Sequence, residues 1–146
     1  MKIAAVDFGD ARTGLAICDK QELLASPAGV IQEKNFDRAV VKVAEALKEL
    51  SPELVVVGHP INMNGTIGVR AQHCEEFAKQ LETALENIPV VLWDERSTTV
   101  SAIGFLNATD TRGKKRKAVV DAVAAVIILQ DYLEYRRIHK QGGESE

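Results

Sequence analysis

Short apolar runs and helical repeats alternate along the chain and divide it into strands and helices. Residues 3–6 form an unbroken apolar run that ends at Asp7 and a glycine turn, a pattern typical of a strand buried on both faces. Residues 13–18 and 22–32 predict two more strands after tight turns. Pro27 places the third strand at the sheet edge, because proline lacks the N–H that a ladder needs. The chain therefore opens with an antiparallel meander of three strands.

A helical repeat replaces this pattern after residue 34. Asn35 is a suitable N-cap for a helix whose apolar residues recur every three or four positions, until Ser51 and Pro52 end it. Two buried strands are expected next, at residues 54–57 and 89–92. Three helices are expected at residues 68–87, 97–106 and 118–138. With right-handed crossovers, this order predicts an α/β fold with a mixed five-stranded sheet, order 3-2-1-4-5, strand 2 antiparallel, and helices on both faces.

Length and composition indicate a single globular domain. The chain has 146 residues, of which 46% are apolar and 27% charged, and we expect one domain over residues 1–138 with a disordered tail at 139–146. The net charge of −3 argues against indiscriminate nucleic-acid binding but allows a local basic face. Cys18 and Cys74 have no CxxC spacing, which predicts reduced thiols and a cytoplasmic location.

Three carboxylates stand at positions where a structural role is costly or unusual. Asp7 ends the first strand, and Glu95 follows the fifth strand beside Asp94. Asp121 is the single polar member of the twelve-residue run 118–129, and a carboxylate in so apolar a helix needs a partner or a metal. The predicted strand order brings Asp7 and Glu95 to one sheet edge, where the last helix could place Asp121 between them.

Converging carboxylates without histidine or cysteine ligands favour Mg²⁺ or Mn²⁺. A pair of such ions about 4 Å apart would catalyse in-line displacement at phosphorus. Two structural alternatives stay open on the residues alone. Glu95 could form a surface ion pair with Arg96, and Asp121 a buried salt bridge with Arg12 or Lys117. Taken together, the three acids favour the metal site.

Four blocks of sequence resemble the motifs of the YqgF/RuvX family. They are Asp7-Phe8-Gly9 with Arg12 and Gly14, Val57-Gly58 with Pro60, Asn62-Met63 and Gly65, Asp94-Glu95-Arg96 with Thr98-Thr99, and Asp121-Ala122 with Ala124-Ala125. The resemblance implies an RNase H-like fold related to RuvC Holliday-junction resolvases, and metal-dependent phosphodiester hydrolysis at Asp7, Glu95 and Asp121. It also implies a role in maturing the 5′ end of the small-subunit ribosomal RNA precursor. His59 and Ser97 depart from the pattern, which has leucine at both positions.

Substrate contacts are expected around the same edge. Residues 112–117 hold five cations in six positions, and we expect a mobile basic loop that clamps phosphate, although an ordinary solvated loop is the alternative. The predicted substrate-binding residues are Arg12, Asn62, Asn64, Arg96, Lys114, Lys115 and Arg116.

Together with the resemblance, these features predict a hydrolase, namely a nuclease that acts on a ribosomal RNA precursor or on branched DNA. We expect it to be a monomer or a homodimer without membrane contact. The alternatives are a Holliday-junction resolvase and a non-catalytic nucleic-acid-binding module. A sugar-kinase-like or actin-like ATPase is disfavoured, because those proteins clamp nucleotide between two such domains.

Overall fold

The computed structural model describes residues 1–95 and the backbone of residues 113–141, with the side chains of residues 123–139. Its strands are β1 Ile3–Asp7, β2 Arg12–Cys18, β3 Ala25–Gln32, β4 Leu54–His59 and β5 Val90–Asp94; its helices are α1 Phe36–Leu50, α2 Val69–Leu85 and α3 Gly113–Gln141. Arg96 and the helix predicted at 97–106 lie outside the described residues. In the part described, no helix is both long and apolar enough to cross a bilayer.

The five strands form one mixed sheet in the order β3-β2-β1-β4-β5, which confirms the predicted topology. β4 is parallel to β1 and β5, whereas β2 is antiparallel to β1 and β3. Pro27 lies on the edge strand as expected, opposite Ala16 and next to a register shift. Gly29 has a φ of 128° at this irregularity, a conformation that L side chains rarely adopt. The carboxyl ends of β1, β4 and β5 therefore meet at one edge of the sheet.

Helices cover both faces of the sheet. α1 and α2 pack on one face around three stacked or edge-on rings, with the centroids of Phe8 and Phe77 4.2 Å apart and Phe36 against both. α3 packs on the other face, where Ala5 and Ala16 of the sheet meet Ala125 of the helix, all three fully buried. Small residues at this contact let the final helix approach the strands closely.

Several predicted boundaries were wrong. β4 continues to His59 rather than ending at residue 57, so Gly58 and His59 belong to the strand. β3 begins at Ala25 rather than at residue 22, because the carboxylate of Asp19 accepts hydrogen bonds from the backbone N–H groups of Leu23 (2.8 Å) and Leu24 (2.9 Å) and holds them in a turn. β5 ends at Asp94, so this acid belongs to the strand. α3 continues to Gln141, three residues into the expected tail.

The basic segment before the final helix is helical rather than a loop. α3 starts at Gly113, so Lys114, Lys115 and Arg116 lie in its first turns. Lysine and arginine have high helix propensity, which outweighs the unfavourable placement of positive charge at a helix amino terminus.

A partly buried ion pair attaches α3 to the turn after β2, at the end of the sheet opposite Asp7. The carboxylate of Glu22 accepts hydrogen bonds from Arg136 Nε (2.8 Å) and Nη2 (3.2 Å), and it also lies 2.9 Å from the amino group of Met1. The Glu22 side chain is only 13% exposed. Its bonds to Arg136 are the main cause that lowers its pKa from 4.5 to about 2.

We predict that Glu22→Gln destabilises the protein at neutral pH by about 2 kcal/mol, since an acid whose pKa is lowered in the folded state stabilises that state when ionised. The difference between variant and parent should be complete above pH 4.5 and disappear as the pH falls towards 2. Urea unfolding across this range measures it. Glu134→Gln, which removes an exposed pair with Arg137 one helical turn away, should change stability little at any pH. Equal effects of the two variants would contradict the assignment.

Candidate active site

Asp7 and Glu95 emerge at the same edge and on the same side of the sheet. Asp7 is the last residue of β1, and Ile3 and Ala5 before it pack beneath α3. Because side chains alternate along a strand, Asp7 also faces the α3 side. In β5, Trp93 packs on that side, with its ring centroid 5.6 Å from that of Tyr132, and Glu95 follows two positions later. The expected convergence of these two acids at one edge is therefore present in the strands.

Gly58 of β4 provides the space into which Glu95 folds. Val57 of β4 pairs with Val6 of β1, so the next residue, Gly58, lies beside Asp7. On its other side, Gly58 pairs with Trp93 of β5. A Cβ atom at Gly58 would overlap Oε2 of Glu95 and stand 2.7 Å from Cδ1 of Ile128. The carboxylate thus lies on bare strand backbone with α3 beside it.

Burial makes ionisation of Glu95 unfavourable. Its pKa is raised above 4.5, chiefly by desolvation and to a smaller extent by the charge of Asp94, while Arg70 and His59 oppose the rise. Among the described residues, no donor lies within hydrogen-bond distance of its carboxylate oxygens. A partly buried acid in this state is well suited to a divalent cation, which would stabilise its charged form.

The described side chains do not complete a metal site. Among them, no group of three histidine, cysteine or acidic residues gathers closely enough to hold an ion. The side chain of Asp121, the third predicted ligand, lies outside the described set. Its backbone belongs to α3, seven residues or nearly two turns before Ile128, the residue that touches Gly58. The role of Asp121 stays a prediction.

Two further residues of the site were missed by sequence reasoning. Arg70, in the first turn of α2, donates from Nη2 to the carbonyl oxygen of Phe8 at 3.2 Å. His59, buried at the end of β4, pairs through Nε2 with Oε2 of Glu75 at 2.7 Å. Each bond joins two different parts of the fold: Arg70 of α2 bonds to Phe8 just after β1, and His59 of β4 bonds to Glu75 of α2. A pattern within one stretch of sequence therefore could not indicate either bond.

Electrostatics at Cys74 place the acids and Arg70 in one neighbourhood. Desolvation raises the pKa of this buried thiol to about 12. The charges of Glu95, Asp7 and Asp10 contribute to this rise in pKa, and the charge of Arg70 opposes it. Negative charge therefore gathers at the carboxyl end of β1, and the guanidinium of Arg70 opposes it.

Asn62 and Asn64, two predicted substrate contacts, form hydrogen bonds within their own loop, which follows β4. Asn62 Nδ2 donates to Thr66 Oγ1 at 2.9 Å, and Asn64 Oδ1 accepts from the N–H (3.1 Å) and hydroxyl (2.7 Å) of Thr66. Gly65 turns the chain there with a φ of 87°. The side chains of both asparagines are exposed beside the acid-bearing edge.

Arg12 begins β2 at the same edge, as expected. It lines a surface cavity of about 400 Å³ together with Gln32, Glu33 and Lys34. Of the other predicted contacts, Arg96 lies outside the described residues, and Lys114, Lys115 and Arg116 are described by backbone alone.

We predict that Gly58→Ala lowers the expected phosphodiester cleavage at least about tenfold and destabilises the fold by about 1–3 kcal/mol, because the new methyl group must displace Glu95 or Ile128. Gly68→Ala is the matched control. A Cβ at Gly68 would meet Asn62 Nδ2 at 3.4 Å, an ordinary contact, and stability should change by less than about 1 kcal/mol. Cleavage rates and thermal unfolding of both variants measure the difference, and a fully active Gly58→Ala protein would contradict the close packing.

Comparison with known proteins identifies relatives over almost the whole chain. The family model described as "RuvX: Holliday junction resolvase" matches residues 1–135. A protein of Ruminiclostridium cellulolyticum is 41% identical over 135 residues, covering 92% of this chain and 94% of the relative. One of Bacillus subtilis is 42% identical over 136 residues, covering 92% and 98%. Both are named "Putative pre-16S rRNA nuclease".

Solved structures agree with this fold. RuvC of Thermus thermophilus superposes with a TM-score of 0.61 at 17% identity, covering 94% of this chain and 96% of RuvC. The same protein in complex with a Holliday-junction substrate gives 0.58 at 18% identity, covering 92% and 96%. These values confirm the RuvC-like, RNase H-type fold. Since the family model and the relatives both span more than nine-tenths of its length, the chain belongs to the RuvX family.

Proposed function

We propose that the protein is a divalent-metal-dependent nuclease that hydrolyses phosphodiester bonds during maturation of the 5′ end of pre-16S ribosomal RNA. One observation carries the proposal: a partly buried carboxylate, Glu95, lies on Gly58 beside Asp7, with its pKa raised by burial and with no hydrogen-bond donor among the described residues. An acid so placed has no structural partner among the residues that the structure describes. It fits the first coordination shell of a hard cation.

Asp7, Glu95 and Asp121 are the residues proposed to hold Mg²⁺ or Mn²⁺. When bound, such ions supply an activated water and neutralise charge at the phosphate. The chain's own contribution is orientation. Asp7 ends β1 and Glu95 directly follows β5, which puts the two carboxylates on one side of the sheet, and Gly58 leaves room for Glu95 close to the backbone. α3, packed through Ile128, covers that side. The site we propose is therefore built on rigid elements rather than on loops.

The proposed substrate follows from the relatives, which are named for pre-16S rRNA. A second candidate is a four-way DNA junction, because the fold resembles RuvC, which has been solved with a Holliday-junction substrate. A junction has two strands to cut and would require a homodimer, whereas RNA end processing requires one site. Cleavage of the two substrates side by side, at a concentration where the oligomeric state is known, separates the candidates.

We predict that Glu95→Gln and Asp121→Asn each lower the cleavage rate by more than about a hundredfold, because removing a ligand should exceed the 10–100-fold cost of removing a ligand's supporting partner. Glu82→Gln, an exposed acid in the last turns of α2, should remain as active as the parent protein. Full activity of either site variant would refute the proposed metal site.

The Glu95→Gln variant should also be more thermally stable than the parent at neutral pH in EDTA. A carboxyl group whose pKa is raised on folding opposes the folded state once it ionises, so its removal stabilises the protein above its ordinary pKa of 4.5. The gain should shrink as the pH falls and the parent's Glu95 takes up a proton. Added Mg²⁺ should raise the melting temperature of the parent and much less that of the variant. A variant that melts below the parent at neutral pH would contradict this electrostatic account.

We predict that changing Lys114, Lys115 and Arg116 together to alanine weakens nucleic-acid binding and makes its salt dependence less steep, by about 0.7–0.9 in slope for each phosphate that is no longer neutralised. Alanine keeps the helical propensity of the segment, so the fold should persist. Lys48, Lys79 and Arg137, which are exposed and remote from the acid-bearing edge, provide a charge-matched triple control. Anisotropy titrations over a range of NaCl concentrations measure both. An unaltered slope would remove the segment from the substrate site.

A further inference from the structure

Arg70 is fixed beside the acidic cluster by a bond to backbone. It lies in the first turn of α2, and its Nη2 donates to the carbonyl oxygen of Phe8, the residue that follows Asp7. α2 begins at the edge where β4 ends, so this guanidinium reaches back over the carboxyl end of β1. The bond spans 62 positions of sequence and joins the two elements directly.

Within the described part of the chain, Arg70 forms no ion pair. Among these residues, no carboxylate lies within 4 Å of its guanidinium, and the Phe8 carbonyl is its only hydrogen-bond partner. Arginine carries five N–H donors, so most of them have no partner among the residues that the structure describes. Arg136, in contrast, forms an ion pair with Glu22 at the opposite end of the sheet.

Arg70 also acts electrostatically on the site at longer range. It is the strongest of the charges that lower the pKa of Glu95, and the strongest that lowers that of Cys74. The residue is nevertheless exposed to solvent. An exposed guanidinium that is held in place close to the acids, and that pairs with no carboxylate of the described residues, is well placed to receive an anion from solution.

We propose that Arg70 is a substrate-positioning residue that binds a phosphate of the nucleic-acid backbone next to the bond to be cut. The Phe8 carbonyl orients the guanidinium, and the remaining N–H groups donate to two phosphate oxygens in a forked arrangement that lysine cannot reproduce. The inference rests on the proposed nuclease function and extends it, since it assigns a residue to the substrate rather than to the metal.

The orientation matters because the acids repel the substrate. Asp7, Asp10 and Glu95 place negative charge where a polyanion must approach, and each ionised group disfavours it. A fixed cation on α2, across the strand ends from α3, offsets that repulsion and sets the register of the strand in the site. The basic first turns of α3 would bind backbone without fixing this register.

The test compares Arg70→Gln, Arg70→Lys and Lys79→Gln. Glutamine retains an amide donor for the Phe8 carbonyl but loses the charge, lysine retains the charge but loses the fork, and Lys79 is an exposed cation on the same helix nine residues further along. Binding is measured in EDTA by anisotropy over a series of NaCl concentrations, with an RNA that spans the 5′ boundary of 16S rRNA and with an immobile four-way DNA junction. Steady-state cleavage with Mg²⁺ and thermal unfolding are measured on the same preparations.

For Arg70→Gln we expect binding about tenfold weaker at moderate salt and a salt slope smaller by about 0.7–0.9, the change that accompanies one phosphate fewer in the binding site. Arg70→Lys should keep the parent's slope and recover most of the binding, yet cleave more slowly, because a point charge does not fix the phosphate. Lys79→Gln should match the parent in every measurement.

An unchanged slope in Arg70→Gln would overturn the inference, whether or not the variant melts earlier or cleaves more slowly, since Arg70 would then only attach α2 to β1 or tune the acids. Equal cleavage rates for Arg70→Lys and the parent would overturn the forked contact. Failure of the proposed function is recognised separately. In that case the parent protein cleaves neither substrate with Mg²⁺ or Mn²⁺, whereas failure of this inference leaves the parent active.

Discussion

The arrangement of the acid-bearing edge depends on the absence of a side chain at Gly58. A carboxylate can lie flat on a strand only where no Cβ projects, and here the space belongs jointly to Glu95 and Ile128. The parallel pairing of β4 with β1 and β5 puts this space in the row between the two strands that carry Asp7 and Glu95. The missing methyl group at Gly58 thus lets Glu95 and Ile128 of the final helix lie close to the sheet.

The same contact accounts for the electrostatic state of Glu95. Its burial against backbone and Ile128 removes water from the carboxylate and raises its pKa, and Asp94 adds to the effect. Arg70 and His59 reduce the penalty from the α2 side without bonding to the acid. The fold therefore tolerates an unfavourable charge at this position, as is expected if the proposed metal site conflicts with stability. At the other end of the sheet the balance is reversed, because Glu22 is fully compensated by Arg136 and its pKa is lowered.

Much of the fold could be predicted because it follows from local patterns. Short apolar runs mark the buried strands, Asn35 caps α1 through a bond to the N–H of Arg38, and right-handed crossovers leave few strand orders to consider. The convergence of Asp7 and Glu95 followed from the strand order alone. The start of α3 was predicted too late, because a run of cations resembles a solvated loop even where its helix propensity is high.

The missed residues of the site share a physical reason. The bonds of Arg70 to Phe8 and of His59 to Glu75 join side chains from different elements, so neither leaves a periodic signal in the sequence. Gly58 was placed after the predicted strand, yet it belongs to β4, and a glycine inside a strand often marks the close approach of another group. The places of Asp121 among the ligands and of Arg96 in the substrate site stay predictions.

The contact between Ile128 and Gly58 has a consequence for the order in which the protein matures. Strands β1, β4 and β5 are complete once residue 94 has been synthesised, but the side chain that confines Glu95 is that of Ile128, more than thirty residues later in the chain. A nascent polypeptide that stops short of this helix exposes the acid to water and leaves one face of the sheet uncovered. The surroundings of Glu95 therefore cannot be complete before Ile128 has been synthesised, and chains that end before this residue would lack them.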